Sequence, residues 1–316
     1  MIPDSLFTCE SLRTLDFQFP ELNWRLELPE SISLPRLKIL RLTNIIYDDE
    51  KLAGKLFSSF PILEELCLTN CRWENFDFIS FSAPALTLTG GGSSRMEYAK
   101  IKIDAPNLMS FTFRDWLPEG FVVDSFPLLH DADICFEGDI EYRSGPLSKF
   151  IKKFCNVKLL KISGAYFKIL KRANVLSTSF PTFGNLIRLE VDDIQMKTLL
   201  NFLELSPNLE SLVINEVEYM GGENVSTFKV VPQCLVVSLK SIEIRKFTGY
   251  LEMVKFVLKH GRVLQTVIID DYKTEAKWVE ASNKSLMTML RRTPWASAGC
   301  VIKFLSNHGT CCEFRL

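Results

Sequence analysis

Side chains suited to acid–base chemistry are scarce in this chain of 316 residues, which contains three histidines. A histidine acts as a general base when a nucleophile lies beside it and a third group orients its ring. His130 lies in a weak copy of a sequence repeat, His260 at the predicted end of a helix and His308 near the C-terminus. Because nothing in the sequence places such partners beside them, we expect no enzymatic activity and name no catalytic residue.

Cysteines are the next candidates for chemistry, since closely spaced pairs can hold zinc. Cys67 and Cys71 form one such pair, but a zinc site needs a second pair or histidines at set spacing, and none fits. Cys311 and Cys312 are adjacent, which is too close for a zinc knuckle. We therefore interpret the nine cysteines as individual thiols and predict no metal and no cofactor.

A glycine-rich run, Gly90-Gly91-Gly92-Ser93-Ser94, resembles part of a phosphate-binding loop. It lacks the Gly-Lys-Ser/Thr that should follow and any clear helix after it, so we interpret it as a loop. The basic pairs Lys152-Lys153 and Arg291-Arg292 lie beside apolar stripes of predicted helices, which is typical of solvated helix faces. We expect no nucleotide and no nucleic acid as ligand.

The composition is that of an ordinary globular protein, with 47% hydrophobic and 24% charged residues. Lysine and arginine number 37 against 38 acidic residues, so the chain has no overall attraction for phosphate backbones or anionic membranes. Because no apolar run is long enough to span a bilayer and the first residues lack a basic and then an apolar stretch, we expect neither a membrane span nor a secretory signal. We expect reduced thiols and a cytoplasmic or nuclear location.

One hydrophobic pattern recurs along most of the chain. An apolar residue is followed by two variable residues, a second apolar residue, one variable residue and a third apolar residue. The copies begin at residues 12, 37, 63, 86, 108, 129, 157, 186, 209, 239 and 264, and the copy at Leu86-Thr87-Leu88 is degraded. Their mean step of about 25 residues falls within the range of about 20 to 29 residues of leucine-rich repeats.

The repeat predicts a fold in which strands alternate with helical or irregular segments. The last three positions of each copy alternate between buried and exposed, as in a short strand. The segments Leu147-Phe154, Met196-Leu203 and Leu251-Leu258 have helical spacing, and Gly261 can end the last of these helices. We predict an α/β leucine-rich-repeat solenoid, a ribonuclease-inhibitor-like horseshoe or arc with parallel strands on its concave face. The alternative is an ordinary α/β fold, which the near-periodic copies disfavour.

The last third of the sequence carries a family resemblance. Pro232-Gln233-Cys234-Leu235 and the following Ser238-Leu239-Lys240-Ser241-Ile242-Glu243-Ile244 resemble the start of the FBD domain of plant F-box proteins. Pro294-Trp295-Ala296-Ser297-Ala298-Gly299-Cys300 resembles the end of that domain, with Trp295 in place of the usual arginine. The upstream repeats are similar to those of the same plant F-box/FBD/leucine-rich-repeat proteins.

The resemblance implies a division into irregular leucine-rich repeats at residues 1–230 and an FBD-like region at residues 231–316 that continues and caps the repeat stack. It also implies the substrate-recruiting subunit of an SCF-type ubiquitin ligase, acting in ubiquitin-dependent protein degradation. We find no F-box ahead of the first repeat. We therefore expect a Skp-type adaptor to bind only if an F-box is supplied elsewhere.

The variable residue between the last two apolar positions of each copy should project from the concave face. A column of such residues is the surface that we expect to bind an unknown target protein. The candidate binding residues are Asp16, Arg41, Thr112, Asp133, Lys161, Glu190 and Glu243, and the same column contains Cys67, Val213 and Ile268. Trp24, Trp73 and Trp116 lie between strands, where core packing is the first expectation and a binding anchor the second.

The sequence is also compatible with a second function. Some plant F-box repeat proteins bind a hormone or an inositol phosphate on the concave face, so a small-molecule receptor is the alternative to a protein-binding module. That function needs clustered lysine and arginine on successive repeats. The predicted column instead alternates in sign, from Asp16 and Arg41 to Lys161 and Glu190, which favours a protein or peptide partner.

Overall fold

A computed structural model describes residues 4–20, 24–25, 28–29, 31–73, 76, 78–90, 102–115, 122–123, 126–136, 149–163, 181–192, 194–215, 230–245, 251–270, 288–305 and 312–315. The chain forms two compact units, Met1–Val157 and Lys158–Leu316, called unit 1 and unit 2 below. Within the described residues, no helix is long and apolar enough to cross a membrane.

Unit 1 begins with a 3-10 helix at Asp4–Thr8 and then contains twelve described strands. They are β1 (Thr14–Gln18), β2 (Trp24–Arg25), β3 (Ile39–Thr43), β4 (Ile45–Tyr47), β5 (Glu65–Thr69), β6 (Arg72–Trp73), β7 (Phe78–Ser80), β8 (Ala85–Thr89), β9 (Lys102–Asp104), β10 (Ser110–Asp115), β11 (Val122–Val123) and β12 (Asp131–Phe136).

The main sheet of unit 1 runs in chain order, β1-β3-β5-β8-β10-β12, with the described neighbours parallel. Burial alternates along each inner strand, because successive side chains point to opposite faces of the sheet. Each repeat buries its apolar residues only against its neighbours, which is the stacking of a solenoid. The degraded copy at Leu86 is a full member of the sheet as β8.

The other layer of unit 1 was predicted to consist of helices and irregular segments. It contains the helix α1 (Glu50–Ser58), a short helical segment at residues 149–154 that ends as a 3-10 helix at Lys152–Phe154, and two small parallel sheets, β2-β4-β6 and β7-β9-β11. Asp49 caps α1 because its carboxylate accepts hydrogen bonds from the backbone N–H groups of Lys51 and Leu52, at 2.8 and 3.1 Å. The two small sheets were not predicted, since strands of two or three residues carry no readable periodicity.

Unit 2 repeats the same architecture, and its main sheet is accompanied by three described helices. Its described strands are β13 (Leu159–Ser163), β14 (Arg188–Asp192), β15 (Ser211–Ile214), β16 (Ser241–Ile244), β17 (Thr266–Asp270), β18 (Val301–Leu305) and β19 (Cys312–Arg315). Its helices are α2 (Met196–Glu204), α3 (Gln233–Val237) and α4 (Leu251–His260). The stripes that predicted α2 and α4 are confirmed, and Gly261 follows the last residue of α4.

The end of unit 2 departs from the simple repeat. Strands β13 to β18 are parallel in chain order, and β19 then pairs antiparallel with β18. The repeat pattern missed β18 because Gly299 stands where the first apolar residue of the copy should be. An antiparallel last strand covers an edge that would otherwise present unpaired backbone groups.

The core of unit 1 is rich in aromatic rings. Trp73 stacks on Tyr47 at 4.5 Å between ring centroids and also contacts Phe57, which packs edge-on against Phe81. A second group joins Phe111, Phe113, Phe150 and Phe154. Offset and edge-on rings of this kind pack densely while each buries a large apolar area. The main sheet therefore has one face fixed by the core and one face left open, called the open face below.

Candidate functional site

The predicted column is a single row on the open face of unit 1. The register places Asp16 beside Arg41, Arg41 beside Cys67 and Thr112 beside Asp133. Thr87 of the degraded copy completes the row between Cys67 and Thr112. Neighbouring strands lie about 4.8 Å apart, so these side chains form one continuous surface.

Residues of this row form ion pairs with side chains of neighbouring strands. Arg41 contacts Glu65 of the next strand at 2.9 Å, and Arg114 contacts Asp133 at 2.5 Å. At the start of the same strands, Lys38 contacts Glu64 at 2.5 Å. The charges of the open face in unit 1 are thus largely neutralised within the face itself.

Between the Arg41–Glu65 and Arg114–Asp133 pairs, the face has a floor of short side chains. Strands β8 and β10 contribute only alanine, serine and threonine to the two central rows. These residues are Ala85, Thr87, Ser110 and Thr112, and all are half-buried. These short side chains let the backbone of a bound chain approach the sheet closely. The charged side chains on either side are longer and project further from the sheet.

In unit 2 the predicted column is again a single row. Lys161 lies beside Glu190, Glu190 lies beside Val213 of the next strand, and Val213 lies beside Glu243 of the strand after that. The carboxylate of Glu190 accepts a hydrogen bond from Asn215 Nδ2 at 2.9 Å and pairs with Lys161 at 2.9 Å. These contacts cross three strands and hold the side chains in one arrangement.

Arg245 links the two glutamates of this row. Its Nε donates to Glu243 at 2.6 Å, while its Nη1 donates to the Asn215 side-chain oxygen at 3.0 Å and lies 3.6 Å from Glu190. The predicted column missed Arg245 and Asn215, which come directly after their strands. The sequence signal that could have found them is a polar residue directly after the third apolar position of each copy.

The protonation of this network follows from its contacts. Burial raises the pKa of Glu190, but the hydrogen bonds from Asn215 and Lys161 and the charges of Lys161 and Arg245 outweigh it, so the pKa is lowered overall. The hydrogen bond to Glu243 raises the pKa of Arg245, and the charges of Glu243, Glu190 and Asp270 add to this effect. Both shifts favour the charged forms of Glu190 and Arg245.

Val213 departs from the expectation for an exposed column. Its side chain is 1% exposed although it stands on the open face between Glu190 and Glu243. Ile268, in the same row, is half-buried. The row of unit 2 therefore combines a buried valine and a half-buried isoleucine with charged side chains that are held by their neighbours.

The residues considered for catalysis and metal binding stand apart from these rows. The ring of His260 packs at a tilt against Phe256, at 4.6 Å between centroids, and burial and the charge of Lys259 lower the pKa of His260. His130 lies 3.7 Å from Asp131 at the start of β12, and His308 lies outside the described residues. No three of the described histidine, cysteine and acidic residues come together in a group that could hold a metal.

The pair Cys67 and Cys71 divides between two environments. Cys67 is half-buried on the open face, where its thiol donates to Glu65 at 3.3 Å. Cys71 is 1% exposed and its thiol donates to the backbone oxygen of Leu42 at 3.5 Å. Burial raises the pKa of Cys71 to about 12, so it is a neutral core thiol.

The predicted tryptophans also divide. Trp73 is part of the core, as first expected, while Trp24 is 45% exposed and stacks on Phe19 at 4.9 Å. Trp295 is half-buried and donates from its indole N–H to the Leu290 backbone oxygen at 3.0 Å. Trp116 lies outside the described residues.

Two family models match the chain. A model for the leucine-rich repeats of the FBD-associated F-box protein At5g56370 matches residues 1–123, and the FBD model matches residues 229–269. The first covers β1 to β10 of the main sheet in unit 1, and the second covers the segment from before α3 to β17. No solved structure matches the chain at a significant level.

Proteins of Arabidopsis thaliana are similar over most of this chain. The F-box/FBD/LRR-repeat protein At2g26030 is 30% identical over 295 residues, which is 85% of this chain and 65% of the relative. The F-box/FBD/LRR-repeat protein At1g51370 is 29% identical over 325 residues, which is 96% of this chain and 70% of the relative. With two models that together match more than half of it, the chain belongs to the family of plant F-box/FBD/leucine-rich-repeat proteins.

Proposed function

We propose that this chain is a non-enzymatic protein-interaction module, the substrate-recognition arm of an SCF-type E3 ubiquitin-ligase receptor. The open face of each unit is the surface that holds the target. The observation that carries this proposal is the continuous row of aligned, pre-positioned side chains from Asp16 to Asp133 and from Lys161 to Glu243.

Pre-positioning supports binding for an energetic reason. A side chain that is ordered before the partner arrives loses less conformational entropy on binding, about 0.5–1.5 kcal/mol per long side chain. Arg245 is held by both Glu243 and Asn215, so its guanidinium is already fixed. Arginines near an apolar floor such as Val213 are common among residues that dominate binding energy.

The context of the module comes from the relatives. Their names join F-box, FBD and leucine-rich repeats, and this chain spans 65% of the length of the first of them. We extend to it the link to ubiquitin-dependent degradation, with a Skp-type adaptor reached through an F-box. We also propose the division at residue 230 between repeats and FBD-like region, and a cytoplasmic or nuclear location.

The alternative, a receptor for a hormone or inositol phosphate, has no observation that favours it. Binding of a polyanion needs several cations aimed at one point. Arg41, Arg114 and Lys161 each already contact a carboxylate of a neighbouring strand, and Arg245 contacts two. A polyanion would have to displace those carboxylates, which costs the ion pairs it replaces.

The test is site-specific cross-linking in plant extract. A photo-cross-linking residue replaces Thr112 on the open face, and a matched variant carries it at Ser58, an exposed position of α1. We expect proteins that cross-link from position 112 and not from position 58. Their half-life should lengthen in plants that lack the chain, because a recruited target is degraded.

Two results would contradict the proposal. Equal cross-linking from both positions would show that the open face is not the binding surface. Cross-linked proteins whose turnover is unchanged without the chain would show binding without recruitment to a ligase. A thermal-shift series with inositol hexakisphosphate on the same protein tests the alternative, and a stabilisation abolished by Arg41→Ala would favour it.

A further inference from the structure

A second row of side chains crosses the open face of unit 2, nearer to the start of the strands than the predicted column. It consists of the first residue of each strand from β13 to β17, and the register aligns these residues side by side. They are Leu159, Arg188, Ser211, Ser241 and Thr266, called the strand-start row below. Each precedes a residue of the column by two positions, so both rows lie on the same face of the sheet.

The strand-start row contains one charged residue, and this residue has no carboxylate partner. Arg188 is half-buried, and its Nη1 donates to the hydroxyl oxygen of Ser211 at 3.1 Å. Among the described residues, its side chain forms no ion pair. Glu190, two residues further along the same strand, is instead held by Lys161 and Asn215. Because a guanidinium has five N–H donors, most of those of Arg188 are left for a ligand.

The other cations of this part of the face are already neutralised. Lys161 contacts Glu190 at 2.9 Å, and Arg245 contacts Glu243 at 2.6 Å. An anion that binds Arg188 therefore displaces no carboxylate, whereas an anion that binds Lys161 or Arg245 must break an existing pair. This difference makes Arg188 the point of the face at which a negative charge is most readily accepted.

The neighbours of Arg188 along the row differ on its two sides. Ser211 and Ser241, on the next two strands, are half-buried, and hydroxyl groups also donate hydrogen bonds to anions. Leu159, on the preceding strand, is 37% exposed. Lys158 comes directly before Leu159 and is exposed, and it adds a second positive charge nearby. An anion-binding group and an exposed apolar side chain therefore lie side by side, about 4.8 Å apart along the row.

The number of available charges indicates which anion fits. One guanidinium without an ionic partner balances one negative charge, and its planar shape matches a carboxylate. A phosphorylated side chain carries nearly two negative charges at neutral pH, and the two nearest cations of the column are occupied. An aspartate or glutamate side chain therefore suits this site better than a phosphorylated residue.

The spacing within the row indicates how the partner lies. In an extended segment, side chains two residues apart point to the same side and are separated by about 6.6 Å. The step from Leu159 to the space between Arg188 and Ser211 is about one and a half strand spacings, or about 7 Å. A segment that crosses the strands can therefore place an apolar side chain on Leu159 and an acidic side chain at Arg188.

We propose that the strand-start row recognises an acidic segment of the target protein. The carboxylate of an aspartate or glutamate binds Arg188 and the hydroxyl groups of Ser211 and Ser241. An apolar residue two positions away in the same segment packs on Leu159. This inference rests on the proposed function and deepens it, because it names the chemistry of the segment that unit 2 binds.

The test is a selection of random short peptides displayed on phage against the full chain, followed by fluorescence anisotropy with the selected peptides. We expect the enriched peptides to share an acidic residue two positions from a large apolar residue. Arg188→Glu should weaken their binding at least about tenfold, because it turns an attraction into a repulsion. Lys197→Glu, which reverses an exposed charge on α2, is the matched control and should bind them like the native chain.

Exchanging the charges distinguishes recognition from a loss of folding. A selected peptide with lysine in place of its acidic residue should bind the Arg188→Glu chain more tightly than it binds the native chain. The absence of this reversal would overturn the proposal, as would enriched peptides without a shared acidic residue or a selection that enriches none. A peptide that binds more tightly with phosphoserine in place of the acidic residue would overturn the assignment to a carboxylate.

Failure of this inference is distinguishable from failure of the proposed function. The proposed function is tested by cross-linking from position 112, which lies in unit 1 and not in the strand-start row. Targets that cross-link there, combined with a failed peptide selection, would leave target recognition standing and remove the acidic segment alone.

Discussion

At the residue scale, the cysteines show how environment decides chemistry. Cys71, Cys234 and Cys300 are buried, and burial raises the pKa of these thiols to about 12, 12 and 11. At Cys9, a hydrogen bond with the Ser11 side chain lowers the pKa instead. The thiolate is the reactive form, so these residues should differ strongly in their reactivity.

We predict selective alkylation of the folded chain. At pH 8, iodoacetamide should modify Cys9 at least about a hundredfold faster than Cys71 or Cys234, because the buried thiols are both neutral and inaccessible. Peptide mass mapping over time measures the rates. Denaturation in urea is the control, since all three should then react alike. Modification of Cys71 at the rate of Cys9 in the folded chain would contradict its burial.

Glu190 predicts a pH dependence of stability. Because its pKa is lowered in the folded chain, its contacts contribute fully above the ordinary value of 4.5 and are lost as the pH falls through the folded value. At pH 7, Glu190→Gln should cost about 1–3 kcal/mol of unfolding free energy, since it weakens charged hydrogen bonds that are partly buried. The difference from the native chain should shrink below pH 4.

Urea denaturation at pH 7 and below pH 4 measures this difference. Glu64→Gln is the matched control, because the Glu64 side chain is 60% exposed in its pair with Lys38. Exposed pairs contribute about 0–1 kcal/mol, so its effect should be small at every pH. A Glu190→Gln effect that is the same at both pH values would show that ionisation of Glu190 is not the cause.

At the element scale, two glycines show opposite constraints. Gly90 follows β8, and a Cβ built there would lie 2.0 Å from the carboxyl carbon of Asp115. Asp115 ends β10 and is 1% exposed, so it has little room to move. Gly54 lies in the exposed side of α1, where a Cβ would meet nothing within 4 Å.

We predict that the same substitution has opposite effects at these positions. Gly90→Ala should destabilise the chain by about 1–3 kcal/mol, because the added methyl group overlaps a buried carboxyl group. Gly54→Ala should stabilise it by about 0.5–1 kcal/mol, because alanine favours the helix. Thermal unfolding followed by circular dichroism measures both. Equal shifts of the same sign would mean that neither the overlap nor the helix propensity dominates.

At the scale of the whole molecule, function depends on a surface rather than on one residue. The open face of unit 1 has short side chains at its centre, including Thr87 and Thr112. We predict that Thr87→Arg, which places a long side chain on this floor, reduces recovery of the target in quantitative affinity purification about tenfold. Interface cores tolerate such overfilling poorly because they are densely packed.

Ser58→Arg on α1 is the matched control, since it adds the same side chain and the same charge at an exposed position. It should leave target recovery unchanged. If both variants reduce recovery alike, target capture depends on the net charge of the chain and not on the open face. If neither does, the target binds away from β8 and β10.

The sequence by itself determined the repeat, the strands and the row. A step of about 25 residues with one apolar pattern forces each copy beside the next, so equivalent positions such as Asp16 and Arg41 become neighbours. The fold class followed from this, as did α2 and α4, whose apolar stripes are long enough to read. The family followed from local motifs, which need no tertiary information.

Only the tertiary structure decided which neighbours interact. Periodicity places Arg41 beside both Asp16 and Cys67, yet its guanidinium pairs with Glu65. Periodicity also does not predict that Arg245 pairs with Glu243, or that Val213 is buried although it lies on the open face. Repeat spacing sets where each Cα stands, whereas ion pairing depends on how far long side chains reach across several strands, and a one-dimensional pattern does not contain that information.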